Sequence, residues 1–221
     1  AASCFHCLSE GLELQQVCHD QEGQLAVPRA DLDAKVVATT IEHLRAPKSD
    51  LVVADPCAGD WLREADLGKW RNLSKHPIGD FVAPDQMFEW LEKRWRDIEV
   101  VIHMAAVSTT MEPDADKIIH SNFTLSRDLF RWCADHQRRL VYASSAATYG
   151  AGEHGFDDDN SWEALTRLRP LNTYGWSKAL FDQFAVRQAS RDYAPPQWVG
   201  LKFFNVYGPN EEHKHAMKSV A

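Results

Sequence analysis

A tyrosine and a lysine four residues apart are the clearest sign of chemistry in this sequence. In the run Tyr174-Gly175-Trp176-Ser177-Lys178, both side chains would lie on one face of a helix, because positions i and i+4 are neighbours there. An ammonium beside a phenol stabilises the ionised phenol. The pair therefore predicts that Tyr174 exchanges a proton with a substrate hydroxyl group, as a general acid–base.

A serine pair upstream strengthens this hypothesis. Ser144 and Ser145 directly follow the apolar run Leu140-Val141-Tyr142-Ala143, which is typical of a buried strand. Ser145 would hydrogen-bond the same substrate oxygen as Tyr174, and Lys178 would also hold the ribose of a nicotinamide cofactor. A Tyr-x-x-x-Lys alone also occurs by chance on exposed helices, so the hypothesis rests on the combination.

Short apolar runs alternate with amphipathic stretches from residue 51 onward. Strands are predicted at residues 51–54, 100–103, 140–143 and 199–203. Helices are predicted at residues 84–95, 114–136 and 173–188, and before them a further helix at 35–44 and a weak strand at 24–27. Apolar strands alternating with helices indicate an α/β fold with a doubly wound parallel, Rossmann-like sheet covered on both faces. Ligands of such folds bind beyond the carboxyl ends of the strands, which is where Ser145 is expected.

Composition excludes several other classes of protein. The 221 residues are 44% hydrophobic and carry a net charge of −8, which suits a globular core and argues against general nucleic-acid binding. No apolar run approaches the roughly 18 residues of a membrane span, and no signal peptide opens the chain. A cytoplasmic location is therefore predicted.

The cysteines at the start of the chain suggest a zinc site only weakly. Cys4 and Cys7 form a C-x-x-C, and Cys18 is followed by His19. A structural zinc site usually has a second close ligand pair at a defined interval, which is missing here. Reduced thiols and no metal are predicted.

Longer strings around these motifs resemble a known family. The Ser-Ser, Tyr-Gly and Tyr-x-x-x-Lys set resembles the extended short-chain dehydrogenases/reductases. The strings at residues 69–73, 142–150, 169–178 and 203–211, together with His213-Lys214, resemble the ADP-glycero-manno-heptose 6-epimerase family, which supplies lipopolysaccharide core synthesis. The similarity extends from about Leu51 to the last residue.

This resemblance implies an NADP- or NAD-dependent epimerase that inverts C6 of an ADP-heptose by transient oxidation and re-reduction. Two opposed acid–base groups serve such an inversion, and by resemblance they are Tyr174 and Lys214. Ser145, Asn205 and Lys214 would contact the substrate. His215 and Ala216 depart from the family pattern beside Lys214. A homo-oligomer is left open.

Cofactor contacts are expected along the strand ends. They are predicted at Asp55, Lys69, Asp80, Phe81, Met104, Ala105, Ala106, Ser108, Asn122, Tyr174 and Lys178. Asp55 would accept hydrogen bonds from the adenosine ribose, although a turn carboxylate is an equal alternative. Lys69 would pair with a 2′-phosphate and favour NADP, with a surface lysine as the alternative. His103 is expected to hydrogen-bond structurally.

The glycine-rich turn of a dinucleotide-binding fold has no counterpart here. Residues 1–50 contain no G-x-x-G-x-x-G, and Asp31 and Asp33 stand where it would be expected. We therefore predict an atypical leader over 1–50 that replaces the first strand and turn. An NAD(P)-binding domain over 51–221 is predicted to follow, with the C-terminal substrate lobe missing.

Two other functions remain open. One is a different nucleotide-sugar epimerase or dehydratase, although a dehydratase would want carboxylates in place of Ala146 and Ala147. The other is a non-catalytic fragment or pseudoenzyme without cofactor binding, for which the missing glycine turn is the best support.

Overall fold

A computed structural model describes residues 52–54, 74, 79–104, 106–107 and 112–205. The predicted elements at 24–27 and 35–44 and the cysteines at 4, 7 and 18 lie outside the described residues. The chain divides into two compact units: the described residues before 96, together with Asn205, belong to the first, and residues 96–204 belong to the second. The predicted boundary at residue 50 remains a prediction.

The first of these units contains two short parallel strands and a helix. Strand β1 (Val52–Ala54) pairs with β2 (Asp80–Val82), with Val53 opposite Phe81. A 3₁₀ turn (Pro84–Gln86) leads into α1 (Met87–Arg94), which confirms the predicted helix, and a second 3₁₀ turn (Trp95–Asp97) follows it. Strand β2 was not predicted.

The second unit is built on a three-stranded parallel sheet. Its order is β3 (Val100–His103), β4 (Arg139–Ser145) and β5 (Trp198–Phe203). The predicted α/β class with parallel strands is thus confirmed. The expectation that Ser144 and Ser145 follow the strand was wrong: both belong to β4, because Ser144 pairs with Lys202 and Ser145 with Phe203 of β5.

Two helical crossovers join these strands. The first is one continuous helical stretch, composed of α2 (Ala115–Ile118), a π-helical turn (Ile119–Thr124) and α3 (Leu125–Asp135). The second contains α4 (Trp162–Arg167) and α5 (Thr173–Ala189). The predicted helices at 114–136 and 173–188 are confirmed, whereas the π turn and α4 were not predicted.

Aromatic side chains form the core between the crossover helices and the sheet. Phe130 of α3 is fully buried and contacts Phe181 and Phe184 of α5 edge to face, with ring centroids 6.2 and 5.8 Å apart. Phe130 also contacts Trp198 of β5. Since α3 and α5 both contact β4 and each other, they cover the same face of the sheet. Burying such rings contributes about 2–3 kcal/mol each.

No helix in the described part of the chain is long and apolar enough to span a membrane.

Candidate functional site

The central strand β4 extends past its neighbour at the carboxyl edge of the sheet. Strand β3 ends at His103, opposite Tyr142, while β4 continues to Ser145. Ser145 begins a 3₁₀ turn over Ala146–Tyr149, and its Oγ accepts a hydrogen bond from the N–H of Ala147 at 3.1 Å. That bond does not use the hydroxyl proton of Ser145, which can be donated to a ligand oxygen.

The start of α5 packs closely on this 3₁₀ turn. Asn172 caps the helix by accepting a hydrogen bond from the N–H of Gly175 at 2.8 Å. A Cβ atom at position 175 would lie 2.6 Å from the carbonyl oxygen of Ala147, so glycine permits the approach. The beginning of α5, which carries Tyr174, therefore lies against the segment that begins at Ser145. Tyr174 itself is half-buried.

Lys178 is buried one helical turn below Tyr174. Its side chain is 3% exposed, and its Nζ donates a hydrogen bond to the carbonyl oxygen of Ala143 at 2.7 Å. The helix periodicity places Tyr174 and Lys178 on the same face of α5. The predicted pair is thus assembled at the carboxyl end of β4, with the ammonium anchored to that strand.

His103 lies at the end of β3 with a structural hydrogen bond, as expected from the sequence. Its Nε2 is 2.8 Å from the Oγ of Ser126, and Ser126 donates its only hydroxyl proton to the carbonyl oxygen of Asn122 at 2.6 Å. Nε2 must therefore carry the imidazole proton. Burial, with a smaller contribution from the charge of Lys178, lowers the pKa of His103 to about 3, so the ring is neutral.

Asn122 lies on the π-helical turn and is fully buried. Its Oδ1 accepts from the N–H of Val107 at 2.8 Å, and its Nδ2 donates to the carbonyl of Val107 at 3.0 Å and to Ser177 Oγ at 3.1 Å. Both N–H groups of the Asn122 side-chain amide thus donate hydrogen bonds to protein atoms. Asn122 joins the loop after β3 to α5, and π turns often occur at functional sites.

The described part of the loop after β3 is largely buried. Met104 is 5% exposed and Ala106 is 7% exposed, and Asn122 fixes the backbone at Val107 through both of its polar groups. Backbone pinned in this way can lie close to a planar ligand without rearranging.

An ion pair beneath the site was missed by the sequence interpretation. Asp182 and Lys202 are 6% and 5% exposed by side chain, and their Oδ2 and Nζ are 2.5 Å apart. Asp182 is also four residues after Lys178, so Tyr174, Lys178 and Asp182 form an i, i+4, i+8 row. That row is the signal that could have revealed Asp182; nothing local identifies Lys202 as its partner.

Two other tyrosines of this unit are unsuited to proton exchange. Tyr142 donates its hydroxyl to Asp182 at 3.0 Å, and burial raises its pKa well above the ordinary value. Tyr149 donates to the carbonyl of Asp157 at 2.9 Å, and burial together with nearby carboxylates raises its pKa to about 12. Both phenols are committed to protein acceptors.

Aromatic rings lie beside the 3₁₀ turn at the same edge. Tyr149, Phe156 and Phe204 contact one another with centroids 5.5 to 6.1 Å apart. Phe156 and Phe204 are more than half exposed.

Of the remaining predicted site residues, the structure describes Asp80, Phe81 and Asn205. Asp80 and Phe81 begin β2 in the other unit, and Asn205 follows β5. Asp55, Lys69, Ala105, Ser108 and Lys214 lie outside the described residues. Within the described ranges, no three His, Cys, Asp or Glu side chains are arranged to hold a metal ion.

Comparison with known sequences gives a consistent result. The model of the NAD dependent epimerase/dehydratase family matches residues 38–221. The chain is 45% identical over 174 residues to an ADP-L-glycero-D-manno-heptose-6-epimerase of Fusobacterium nucleatum, covering 78% of this chain and 51% of that protein. A protein of the same name from Nitratidesulfovibrio vulgaris is 44% identical over 155 residues, covering 69% and 46%. The chain spans about half the length of the curated relatives it matches.

Solved structures agree on the fold. The ADP-L-glycero-D-manno-heptose-6-epimerase of Helicobacter pylori matches with a TM-score of 0.62 at 27% identity, over 84% of this chain and 56% of that one. A UDP-glucuronic acid 4-epimerase of Bacillus cereus, solved with NAD, matches with a TM-score of 0.58 over 82% and 56%. At 20% identity, the second match shows the fold alone.

Proposed function

The chain belongs to the NAD dependent epimerase/dehydratase family, and we propose that it is the nucleotide-binding part of an ADP-glycero-manno-heptose 6-epimerase for lipopolysaccharide core synthesis. The observation that carries this proposal is the placement of Tyr174 and Lys178 on one face of α5, directly against the strand end at Ser145. The two relatives at 44–45% identity, both named as heptose 6-epimerases, support the choice of sugar.

In this proposal, Tyr174 is the general acid–base. It takes the proton from the hydroxyl on C6 as that carbon is oxidised to a ketone. Ser145 donates its hydroxyl proton to the same oxygen and holds it within reach of the phenol. Tyr142 and Tyr149 do not compete for this role, because both are committed to protein acceptors.

The second acid–base group would be Lys214. Inversion requires that hydride return to the opposite face of the ketone, and a second acid–base group placed opposite Tyr174 suits the return of the proton to the oxygen. By family resemblance that group is Lys214, with Asn205 as a further substrate contact. Both assignments rest on the resemblance and belong to the proposal.

The described residues fit the nicotinamide end of a dinucleotide. Lys178 presents an ammonium beside the strand end, and the buried loop at Met104 and Ala106 has a backbone pinned by Asn122. When bound, NADP or NAD supplies the acceptor and donor of hydride for the transient oxidation. Asp55, Lys69, Asp80 and Phe81 are the proposed contacts for its adenosine end, with Lys69 favouring NADP.

The experiment that tests this function is a direct epimerisation assay. Purified protein is incubated with ADP-D-glycero-D-manno-heptose and catalytic NADP or NAD, and the product is resolved by NMR. Conversion to the L-glycero epimer without net change in cofactor absorbance supports the proposal. Turnover of UDP-sugars but not of ADP-heptose would contradict the proposal and would identify the chain as a different epimerase of the same family.

A non-catalytic role is the second candidate, since residues 1–50 contain no glycine-rich turn. A thermal melt with and without millimolar NADP and NAD separates the two, because a ligand that binds only the native state raises the melting temperature. A rise with either cofactor supports the enzyme, and no rise in a cooperatively melting sample supports the non-catalytic role. A cytoplasmic location and a homo-oligomer are proposed with the enzyme.

A further inference from the structure

The buried Asp182–Lys202 pair joins four separate elements beneath the site. Asp182 lies on α5 and Lys202 on β5. The Oδ2 of Asp182 also accepts from Ser144 Oγ of β4 at 2.7 Å, and its Oδ1 accepts from the hydroxyl of Tyr142. The carboxylate therefore fixes the helix against both neighbouring strands.

Lys202 extends this network to the 3₁₀ turn. Besides Asp182, its Nζ donates to the Oγ1 of Thr148 at 2.8 Å. Thr148 is fully buried, and its hydroxyl in turn donates to the carbonyl oxygen of Ser145 at 2.8 Å. An unbroken hydrogen-bonded path thus runs from α5 through β5 to the backbone of Ser145.

The location of Asp182 determines what this path can control. Asp182 is on the α5 face that carries Lys178 one turn, and Tyr174 two turns, nearer the start of the helix. The path ends at the backbone of Ser145, whose hydroxyl is proposed to bind the same substrate oxygen as Tyr174. The path therefore connects the helix that carries Tyr174 to Ser145, and the relative position of these two residues decides whether one substrate oxygen can contact both.

The burial of the Asp182–Lys202 pair favours a positioning role for it. Desolvating a lysine and an aspartate is costly, and an apolar pair of similar volume is often as stable or more so. A requirement for fixed geometry accounts for a charged pair at this position better than stability does, because charge-assisted hydrogen bonds are short and directional.

We propose that Lys202 and Asp182 are positioning residues that act through Thr148 to hold Ser145 at a fixed setting against the α5 face carrying Tyr174 and Lys178. The catalytic part of this inference rests on the proposed function. Its structural part, the ordering of the 146–149 turn, does not.

Thr148→Val is the sharpest test, because valine keeps the shape of threonine and leaves the ion pair intact. Thr166→Val is the matched control, since Thr166 also donates its hydroxyl to a backbone carbonyl at 2.8 Å, but within α4. A second variant, Lys202→Met with Asp182→Asn, removes both charges together so that neither is left buried alone.

Amide hydrogen exchange of the peptide covering residues 145–150 is measured first. We expect exchange about tenfold faster or more in Thr148→Val and in the double variant, with Thr166→Val unchanged and cooperative melting retained in all. Unchanged exchange in the 145–150 peptide of Thr148→Val would overturn the proposal, whether or not the protein has epimerase activity.

Epimerase kinetics form the second arm. Misplacement on the order of 1 Å lowers turnover about 100-fold, so we expect a fall in kcat of about 10- to 100-fold with little change in KM. Adding Thr148→Val to the double variant should lower kcat little further, because both act on one path. Full kcat in Thr148→Val refutes the catalytic part, whereas an inactive unaltered protein refutes the proposed function and leaves hydrogen exchange to decide the structural part.

Discussion

The Nζ of Lys178 lies 2.7 Å from the carbonyl oxygen of Ala143 and donates a hydrogen bond to it. This bond fixes the lysine at the point where β4 extends beyond β3. The same ammonium contributes to the lowered pKa of His103, although burial is the larger cause.

Replacing Lys178 by methionine should raise the pKa of His103, because a nearby positive charge that opposes protonation is removed. The pKa should remain below its ordinary value of 6.5, since burial is the main cause of the shift. Histidine NMR titration measures this directly, and Lys93→Met, which removes an exposed lysine paired with Glu89, is the control. A His103 pKa that does not move in Lys178→Met would contradict the prediction.

Tyr174→Phe should abolish epimerisation and preserve cofactor binding. Loss of a general acid–base lowers turnover about 10²- to 10⁴-fold, whereas the helix keeps its shape because phenylalanine differs only by the hydroxyl. Tyr193→Phe is the control, because the Tyr193 hydroxyl binds Asp135 at 2.9 Å and is not part of the proposed site. Retention of more than a tenth of kcat by Tyr174→Phe would exclude the assigned role.

The stability of the protein should depend on pH through His103. The folded pKa is about 3 and the unfolded value is near ~6.5, so the unfolded state binds more protons between these limits. The free energy of unfolding contributed by His103 is therefore complete above about pH 6.5. It falls by up to about 1.4 kcal/mol per pH unit toward pH 3.

Denaturant unfolding between pH 7 and pH 4.5 measures this slope. His103→Gln should make the dependence shallower, since glutamine does not titrate, while His154→Gln at an exposed position should leave it unchanged. Equal slopes in His103→Gln and the unaltered protein would show that His103 does not cause the dependence.

Asn122→Ala should destabilise the fold by about 2–4 kcal/mol. The substitution removes the partners of both Val107 backbone groups and of Ser177 Oγ, and unsatisfied buried groups cost about 1–3 kcal/mol each. Chemical denaturation gives the value, with Asn160→Ala at an exposed position expected within about 0.5 kcal/mol of the unaltered protein. A cost below about 1 kcal/mol at Asn122 would contradict the assigned role.

Gly200→Ala should displace Tyr142. A Cβ atom at position 200 would lie 2.3 Å from the Tyr142 ring, and overpacking of this kind costs about 1–3 kcal/mol. The cost should largely disappear in a Tyr142→Ala background, where the clash is absent. Thermal unfolding of the two single variants and the double variant measures this coupling, and additive effects would refute it.

The sequence by itself determined the longer elements and the pairing of Tyr174 with Lys178. Apolar runs such as 100–103 and the helical periodicity of 173–188 are local signals, so their strands and helices could be predicted within one or two residues. Tyr174 and Lys178 were likewise predicted from local signals, namely their separation by about one helix repeat and the serine pair upstream.

Only the tertiary structure decided how those groups are held. Ser144 and Ser145 belong to β4 because β5 offers them hydrogen-bonding partners, which the residue types do not reveal. Asp182 and Lys202 are 20 residues apart in the chain, and Lys202 and Thr148 are 54 apart. Such pairs arise when strand order and helix packing bring distant segments together, and no local pattern encodes that proximity.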